Sequence, residues 1–454
     1  MMDTKGGSDC EKEEGLPSQL EAVSKNVEDK ATAAGRRPDF WLRLVKSAWF
    51  QATIVVSYWA YALITPFFGQ ESRKRGLPNW ATGLIFGAHE FVYMLAIPFF
   101  AAYGGKLLGR KLCVTVGMAL TAAGTAAFGL TDMLHETVVY ASVCLAVRCF
   151  QATMEGMSGA HAFPVPFFYF PDNAGTVQAV NSMAATVGFA IGPLVGEGFY
   201  ILGGYKAPFF VSGAIFLVLS PFGYWAFPPD SETKSAVAEG AEGMQPPAVE
   251  DSAPQGLTQL RVLRSPTALC ALGSIAYSTA LVLYIFTAIG QHVAQFELPP
   301  MGTSGLIASV SVVYLVSVIP IGLAVDRVEG VSTKRFLLVL VLAANALVVW
   351  PCGLDDLAFV VSALISGAFL ICVVRVLATP VLMEVFSKEL KFEESLANRT
   401  ALISVMTTSV LFGSCVGPIL GNALLDLIPF LWTMVLFSLV GLVLAAALLV
   451  QSAL

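Results

Sequence analysis

Long apolar segments, separated by short polar turns, follow one another along most of the 454-residue chain. Each is long enough for a helix that crosses a hydrocarbon layer of about 30 Å, which takes about 20 residues. The pattern predicts an all-α integral membrane protein with twelve transmembrane helices. We place the spans at residues 45–68, 80–102, 111–131, 137–160, 174–199, 206–227, 267–290, 303–325, 334–352, 357–384, 397–422 and 428–450.

Two polar stretches interrupt the apolar pattern. The first forty residues are rich in Lys, Glu, Ser and Gly without periodicity, and we assign residues 1–44 to a disordered cytosolic tail. Residues 228–264 are rich in Pro, Glu, Ser and Gly, which is typical of a linker. The linker divides the spans into an N-terminal six-helix bundle, 45–227, and a C-terminal six-helix bundle, 265–454.

Basic residues near the span ends are unequally divided between the two sides of the predicted membrane. One side carries Arg36, Arg37, Arg43, Lys46, Lys106, Arg110, Lys111, Lys234, Arg261, Arg264, Arg327, Lys334, Arg335, Lys388, Lys391 and Arg399. The other side carries only Arg73, Lys74, Arg75 and Lys206. Because Lys and Arg concentrate in cytosolic loops, this division places both termini in the cytosol.

A glycine–proline motif occurs in the fifth span and again in the eleventh. The copies are Gly188-Phe-Ala-Ile-Gly192-Pro193-Leu-Val-Gly196 and Gly413-Ser-Cys-Val-Gly417-Pro418-Ile-Leu-Gly421, about half the chain length apart. Glycines four residues apart lie on one helix face and let a neighbouring backbone come close, while proline bends the helix axis. Two copies predict parallel repeats that enclose a transport pathway.

A second repeat supports the duplication. Thr82-Gly-Leu-Ile85 opens the second span, and Ser304-Gly-Leu-Ile307 opens the eighth. Each of these spans later carries an Ile-Pro pair and is followed by a short basic turn. The two halves of the chain are therefore expected to share one topology.

Composition narrows the class of protein. Hydrophobic residues make up 56% of the chain and charged residues only 13%, too few charges to cover a soluble protein of this length. The net charge of −6 comes without any basic cluster, so nucleic acid is not an expected partner. Most of the eight cysteines lie in apolar runs, and none shows metal-binding spacing. We find no P-loop, dinucleotide fingerprint or HExxH motif, and we predict neither an enzyme nor a bound cofactor.

Several motifs resemble the major facilitator superfamily. The two glycine–proline motifs are similar to those of its antiporters. Leu145-Ala-Val-Arg148-Cys-Phe-Gln151 resembles its helix-four motif, and Gly322-Leu-Ala-Val-Asp326-Arg327 resembles the signature of its loop between helices eight and nine. The resemblance implies two pseudo-symmetric six-helix bundles, with Asp326 and Arg327 closing the cytosolic gate in the outward-facing state.

Within the superfamily, the chain resembles the vesicular amine transporter family, and its vesicular polyamine transporter branch in particular. The similar stretches are Pro66-Phe-Phe-Gly-Gln-Glu-Ser-Arg-Lys-Arg-Gly76, Gly83-Leu-Ile-Phe-Gly87, Phe170-Pro-Asp-Asn173 and Lys391-Phe-Glu-Glu394. This resemblance implies proton-coupled export of organic cations into vesicles. Asn181 and Ser182 stand where the polyamine branch carries a carboxylate, and Glu197 replaces the last glycine of the first motif.

Charged residues within spans are costly unless they have a partner or face water, so they mark candidate sites. Glu90 lies deep in the second span, where desolvation favours proton uptake, and is the first candidate for the proton site. His89 beside it is interpreted as a packed imidazole, although histidine also titrates in the right range. Arg148, Gln151 and Glu155 form a stripe on one face of the fourth span. That stripe either lines the pathway or ties the span to its neighbours.

Further candidates come from the tenth span and from tyrosines. Arg375 either snorkels towards the cytosol or faces the pathway, and in the second case it indicates an anionic substrate. Glu384 is interpreted as a helix-interface residue. Tyr58 and Tyr284 are candidates for an aromatic amine site, with packing as the alternative.

These features predict a secondary transporter that exchanges protons for a small organic cation by alternating access. One alternative is an organic-anion carrier that uses Arg148 and Arg375. Another is a non-transporting relative that acts as a sensor or scaffold. The expected partners are the lipid bilayer, protons and a small-molecule substrate, and we expect a monomer in a vesicular or plasma membrane.

Overall fold

The computed structural model describes residues 40–170, 174–227, 265–385 and 396–453. Most of the predicted tail and the whole predicted linker lie outside these residues. The described residues from 47 onward belong to one compact unit, and residues 40–46 belong to a separate one. We call residues 47–227 the first half and residues 265–453 the second half; their division into two separate bundles stays a prediction.

Fifteen α-helices make up nearly all of the described residues, which contain no β-strand. They are α1 (Phe40–Ala62), α2 (Phe68–Lys74), α3 (Asn79–Leu107), α4 (Arg110–Leu130), α5 (Thr137–Ala162), α6 (Val165–Tyr169), α7 (Ala174–Gly203), α8 (Ala207–Leu219), α9 (Phe222–Ala226), α10 (Pro266–Val293), α11 (Gly302–Asp326), α12 (Val331–Val349), α13 (Leu357–Glu384), α14 (Leu396–Leu425) and α15 (Phe430–Ala453). The predicted all-α membrane fold is confirmed.

Eleven stretches of the described chain are long and apolar enough to cross a membrane, and they coincide with the second to twelfth predicted spans. The predicted first span, 45–68, differs from the structure. Its helix α1 runs from Phe40 to Ala62, and residues 63–67 form a turn before the short helix α2. Pro66 explains the early end, because proline has no N–H and disfavours helical backbone in the preceding residue.

The predicted sixth span, 206–227, is divided into α8 and α9. The break falls at Ser220 and Pro221, and Pro221 again has no amide hydrogen to continue the helix. Together the two helices still provide an apolar stretch from Ala207 to Ala226 that is long enough for a membrane.

The first glycine–proline motif lies against α1 and the turn that follows it. A Cβ atom at Gly192 would lie 2.8 Å from the Cβ of Ala62 and 3.0 Å from the carbonyl oxygen of Trp59. At Gly196 it would overlap the carbonyl oxygen of Leu63. Side chains are therefore excluded from this face of α7, and the two backbones touch directly.

The second motif makes the equivalent contact with α10. A Cβ atom at Gly413 would lie 3.0 Å from the Cβ of Thr279, and one at Gly417 would lie 2.6 Å from the Cα of Ala280. The positions contacted by the two motifs are Val55, Trp59 and Leu63 in the first half and Ala276, Ala280 and Tyr284 in the second. In both halves the contacted positions are four residues apart, like the glycines that contact them. The motif and its partner helix are therefore repeated together.

Close contacts between the halves position the candidate site. Helix α3 packs against α14, where a Cβ atom at Gly83 would lie 2.7 Å from the Cβ of Asn422 and one at Gly87 would lie 2.7 Å from the carbonyl oxygen of Cys415. Helix α7 of the first half packs against α11 of the second. His89 and Glu90 follow Gly87 on α3. Helix α3 thus brings both residues to the boundary between the halves.

Candidate functional site

One imidazole lies between two carboxylates inside the first half. His89 Nδ1 lies 3.5 Å from Glu90 Oε1, and His89 Nε2 lies 3.3 Å from Glu155 Oε2. The His89 residue is only 1% exposed, and the side chains of both glutamates are largely buried. The structure thus brings together three of the residues singled out from the sequence. His89 holds the central position, although the sequence favoured a packing role for it.

The close approach of α3 and α5 makes this contact possible. A Cβ atom at Gly156 would lie 2.5 Å from the Cβ of Ala96, so the two helices have no room for a side chain there. Glu155 precedes this glycine and is thereby held against α3. Gly156 was not identified from the sequence, because a lone glycine in an apolar run has no distinctive signal.

Arg148 belongs to a second set of buried contacts on α5. Its Nη1 donates a hydrogen bond of 2.9 Å to Gln151 Oε1, and Gln151 Nε2 donates one of 3.0 Å to Thr125 Oγ1 in α4. The guanidinium also lies 5.5 Å from the ring centre of Tyr61 and 5.7 Å from that of Phe128. Arg148 is 1% exposed, so it ties α5 to α1 and α4 and has no free surface for a substrate.

Tyr58 and Asn181 lie on α1 and α7, two further helices of the first half. The Tyr58 ring packs against Phe189 with 5.0 Å between ring centres, and its hydroxyl is within electrostatic reach of Glu90, Glu155 and Arg375. Asn181 Oδ1 accepts a hydrogen bond of 2.7 Å from Gln51 Nε2, which joins α7 to α1. The neighbouring Ser182 is exposed. Tyr58 therefore remains a candidate for the site, whereas Asn181 serves helix packing.

Arg375 provides a positive charge in the second half. Its Nη2 donates to Thr279 Oγ1 at 2.5 Å and its Nε to Ser278 Oγ at 3.5 Å, both on α10. The guanidinium lies 5.7 Å from the centre of the Tyr314 ring on α11. Arg375 is thus turned towards α10 and α11, and its charge is within electrostatic reach of the Tyr58 hydroxyl in the first half.

Two other candidates lie elsewhere. Tyr284 is 0% exposed and stacks on Phe430 and Phe437, with ring centres 5.7 and 5.0 Å away. It is core packing of the second half, and the interpretation of Tyr284 as a pathway residue is corrected here. The Glu384 carboxylate lies 3.4 Å from Arg335 Nη2, which joins α13 to α12 and agrees with an interface role.

Asp326 and Arg327 end α11 and are both exposed. Among the ion pairs of the described residues, none includes either side chain. Their predicted role as a cytosolic clamp therefore stays a prediction for another conformation.

The opposite end of the molecule, which we call the predicted non-cytosolic end, carries contacts between the halves. Gln70 Nε2 donates a hydrogen bond of 3.0 Å to the carbonyl oxygen of Gly290, and Arg73 donates one to Gln291. Two carboxylates also accept backbone hydrogen bonds from the other half: Glu197 from Ser304 N, and Asp426 from Asn79 N and Trp80 N. These contacts close this end.

Only one of these two carboxylates has a signal in the sequence. Glu197 was identified as a departure from the glycine–proline motif, without a role. Asp426 lies beyond the second motif, and no pattern links it to the start of α3. Within the described ranges, no group of three or more His, Cys, Asp or Glu side chains could hold a metal ion.

The helices and their repeated contacts define a multi-pass α-helical membrane protein with two related halves. The family model described as Major Facilitator Superfamily matches residues 52–390. The chain belongs to the major facilitator superfamily, a family of membrane transporters.

Curated relatives refine this assignment. The MFS-type transporter SLC18B1 of Homo sapiens is 29% identical over 203 residues, which is 44% of this chain and 44% of that protein. The Mus musculus protein of the same name is 30% identical over 37% of this chain and 36% of its own length. The chromaffin granule amine transporter of Homo sapiens is 26% identical over 35% of this chain and 30% of its own length. The resemblance to the vesicular amine transporter family is confirmed, although the matched region spans less than half of each relative.

Solved structures share the fold. A bacterial homolog of the human lysosomal transporter Spinster, in an inward-facing and unoccupied conformation, superposes with a TM-score of 0.67 at 12% identity, over 92% of this chain and 98% of that one. The nucleoside transporter NupG superposes with a TM-score of 0.66 at 12% identity, over 89% and 98% of the two chains. At this identity the likeness concerns the fold alone.

Proposed function

We propose that this transporter exchanges protons for a small organic ammonium compound, and that Glu90, His89 and Glu155 form the shared proton and cation site. The observation that carries the proposal is the buried imidazole whose two nitrogens each lie within 3.5 Å of a carboxylate. An imidazole titrates near neutral pH, so this group takes up and releases a proton within the range that membranes maintain.

The formal charges support an exchange of one positive charge for another. Two carboxylates, the Arg148 guanidinium and a neutral His89 sum to one negative charge. A proton on His89 neutralises the group, and so does an ammonium ion beside Glu90. Because an uncompensated charge in a membrane span costs a few kcal/mol, occupancy by one cation disfavours the other. This competition is what coupled exchange requires.

Alternating access supplies the movement. The contacts at the predicted non-cytosolic end close that side, and the exposed Asp326 and Arg327 lie at the other. In the exchange cycle, the ammonium compound reaches Glu90 from the cytosol, where the group is deprotonated. After the halves move, the acidic side protonates His89 and the compound leaves.

Reconstituted protein tests the proposal. Liposomes loaded with an internal pH dye are given an acidic interior, and tyramine or putrescine is added outside; we expect substrate-dependent loss of internal protons. Glu90→Gln and Glu155→Gln should each lower this flux by at least about tenfold, since each removes one of the two charges that hold the proton. Glu136→Gln, at an exposed acid of the first half, is the matched control. Full pH-driven flux in both acid variants contradicts the proposal.

An organic-anion carrier is the second candidate, and Arg375 favours it. Arg375 is a cation in the second half, hydrogen-bonded to hydroxyl groups. Arg148, the other arginine of that hypothesis, is fully buried and bonded within the first half, so an anion carrier would depend on Arg375 alone. Carboxylate uptake that persists in Glu90→Gln and is lost in Arg375→Gln would favour this candidate.

A further inference from the structure

The charge on Arg375 is not neutralised by the groups it touches. Its guanidinium donates to the hydroxyl oxygens of Thr279 and Ser278 and lies over the ring of Tyr314. Among residues 40–170, 174–227, 265–385 and 396–453, no carboxylate lies within 4.0 Å of it. An arginine in a membrane span without a countercharge is costly, which indicates a functional role.

The two hydroxyl groups are held so that they can only accept from Arg375. Ser278 Oγ donates its hydrogen to the carbonyl oxygen of Ile275 at 2.8 Å, and Thr279 Oγ1 donates to the same oxygen at 2.9 Å. With their hydrogens engaged, both oxygens present lone pairs to the guanidinium. This arrangement fixes the orientation of Arg375 while leaving its positive charge intact.

Arg375 and the acid cluster lie at one level of the molecule, on two sides of α14. Thr279, which binds Arg375, packs on Gly413 of α14. Cys415, two residues further along α14, contacts the α3 face at Gly87 and is within electrostatic reach of Glu90. Two helical residues correspond to a rise of about 3 Å, so the two charged sites differ little in depth.

Tyr58 links the two sites from a third helix. Its hydroxyl is within electrostatic reach of Glu90 and Glu155 on one side and of Arg375 on the other. The group in the first half carries one formal negative charge with neutral His89, and Arg375 carries one positive charge. A simple amine would neutralise only the first of these charges and would be repelled by the second.

We propose that the substrate is a zwitterion, whose ammonium group binds at Glu90 and whose carboxylate binds at Arg375. This inference rests on the proposed function, because it uses the same acid site for the ammonium group. A carboxylate accepts paired hydrogen bonds from a guanidinium, which makes arginine the favoured residue for this group. Amino acids and related ammonium carboxylates are the chemical class that fits both charges.

Matched pairs of probes, with and without the carboxylate, test the inference. The pairs are ornithine and putrescine, tyrosine and tyramine, and 4-aminobutyrate and butylamine. Binding to purified full-length protein is measured by thermal shift without a pH gradient, so the result does not depend on proton coupling. In at least one pair, the carboxylate member should bind at least about tenfold more tightly, the factor that about 1.4 kcal/mol of charge-assisted hydrogen bonding provides.

Variants of Arg375 decide whether the preference arises there. Arg375→Gln should remove the preference and strengthen binding of the simple amine, because the repelling charge is gone. Arg375→Lys keeps the charge and should retain part of the preference, which guards against a misfolded Gln variant. Lys334→Gln, which removes a cation of the same half on α12, should behave as the native protein.

Three outcomes overturn the inference: no preference for the carboxylate member in any pair, no binding by any probe, or a preference that survives in Arg375→Gln. The proposed function is judged separately by pH-driven flux in Glu90→Gln and Glu155→Gln. A carboxylate preference without coupled flux would reject the proposed function and retain the carboxylate site at Arg375. Coupled flux of simple amines without a carboxylate preference would retain the proposed function and reject the carboxylate site at Arg375.

Discussion

The Glu197 carboxylate accepts a hydrogen bond of 2.8 Å from the backbone N–H of Ser304, across the two halves of the chain. Ser304 lies in the first turn of α11, where backbone N–H groups have no partner within the helix. Asp426 does the same for α3, with its two oxygens 3.0 and 2.8 Å from the amide nitrogens of Asn79 and Trp80. Each half therefore caps a helix of the other with one carboxylate.

Removal of either carboxylate should loosen the predicted non-cytosolic end. A side-chain cap contributes about 1 kcal/mol relative to alanine, so Asp426→Ala and Glu197→Ala should each raise amide exchange at the capped turn by about fivefold. Hydrogen–deuterium exchange of peptides that cover residues 79–81 and 303–305 measures this effect. Since both caps join the halves, each variant should also raise exchange at the other capped turn.

A cap within one half provides the control. Asp356 caps its own helix α13 through a hydrogen bond of 2.8 Å to the Ala358 amide. Asp356→Ala should raise exchange at the start of α13 and leave α3 and α11 unchanged. If Asp426→Ala and Glu197→Ala also act only on the helix that each one caps, the carboxylates are local caps without a role in holding the halves together.

The glycine faces yield a second prediction. Gly417→Ala would place a Cβ atom 2.6 Å from the Cα of Ala280, in a contact between two backbones that has no flexible side chain to move aside. We expect a loss of stability of about 1–3 kcal/mol, seen as a lower melting temperature in detergent. Gly305→Ala, where no atom lies within 4 Å of the new methyl group, should melt like the native protein. Equal melting temperatures would show that α14 can move away from α10.

The fold could be predicted from the sequence because lipid imposes a simple rule on each segment. Apolar length alone gave the tenth span as 357–384, which matches α13, Leu357–Glu384. Apolar length mispredicted the helix ends at two prolines, which cannot donate a backbone hydrogen bond. One is the turn that contains Pro66, and the other is the break at Pro221. The apolar runs continue through both helix interruptions, so apolarity does not reveal them, although the prolines themselves are visible in the sequence.

The candidate site was predicted in part, because lipid also makes charged residues within spans costly. The cost of a buried charge singled out Glu90, Arg148 and Glu155 without any structure. The position of His89 between two carboxylates depends on how closely α3 and α5 approach at Gly156, which is a property of packing. Tyr284 shows the opposite error, because the sequence does not tell which face of a helix meets an aromatic core.

The Arg148 network leads to a third prediction. Thr125→Val removes the hydroxyl that accepts from Gln151 Nε2 and leaves a buried amide without a partner. We expect a loss of about 1–3 kcal/mol in unfolding free energy, measured by thermal or denaturant unfolding in detergent. Thr121→Val is the matched control, since that hydroxyl donates only to the carbonyl oxygen of Gly117 one turn earlier. A larger effect for Thr121→Val would contradict the network.

Glu71, in the short helix α2 outside the spans, gives a prediction about acidity. Burial raises the pKa of its carboxyl group, but hydrogen bonds from Lys74 and Tyr200, at 2.8 and 2.6 Å, outweigh burial and lower the pKa below its usual value. A lowered pKa in the folded state stabilises the protein above the unfolded pKa of about 4.3. This stabilisation is lost as the pH falls through the lowered folded value.

The advantage of the native protein over Glu71→Gln in melting temperature should therefore be constant from pH 7 to about pH 5 and should shrink below about pH 4. Thermal unfolding at a series of pH values measures it, with Glu329→Gln, at an exposed acid of the second half, as the control. Under the proposed function, in which an acidic compartment protonates His89, the lowered pKa would leave Glu71 ionised in that compartment. An advantage that already disappears between pH 7 and pH 5 would mean that Glu71 is itself protonated there. In that case the proposed response to protons would include the structure around α2 as well as the buried imidazole.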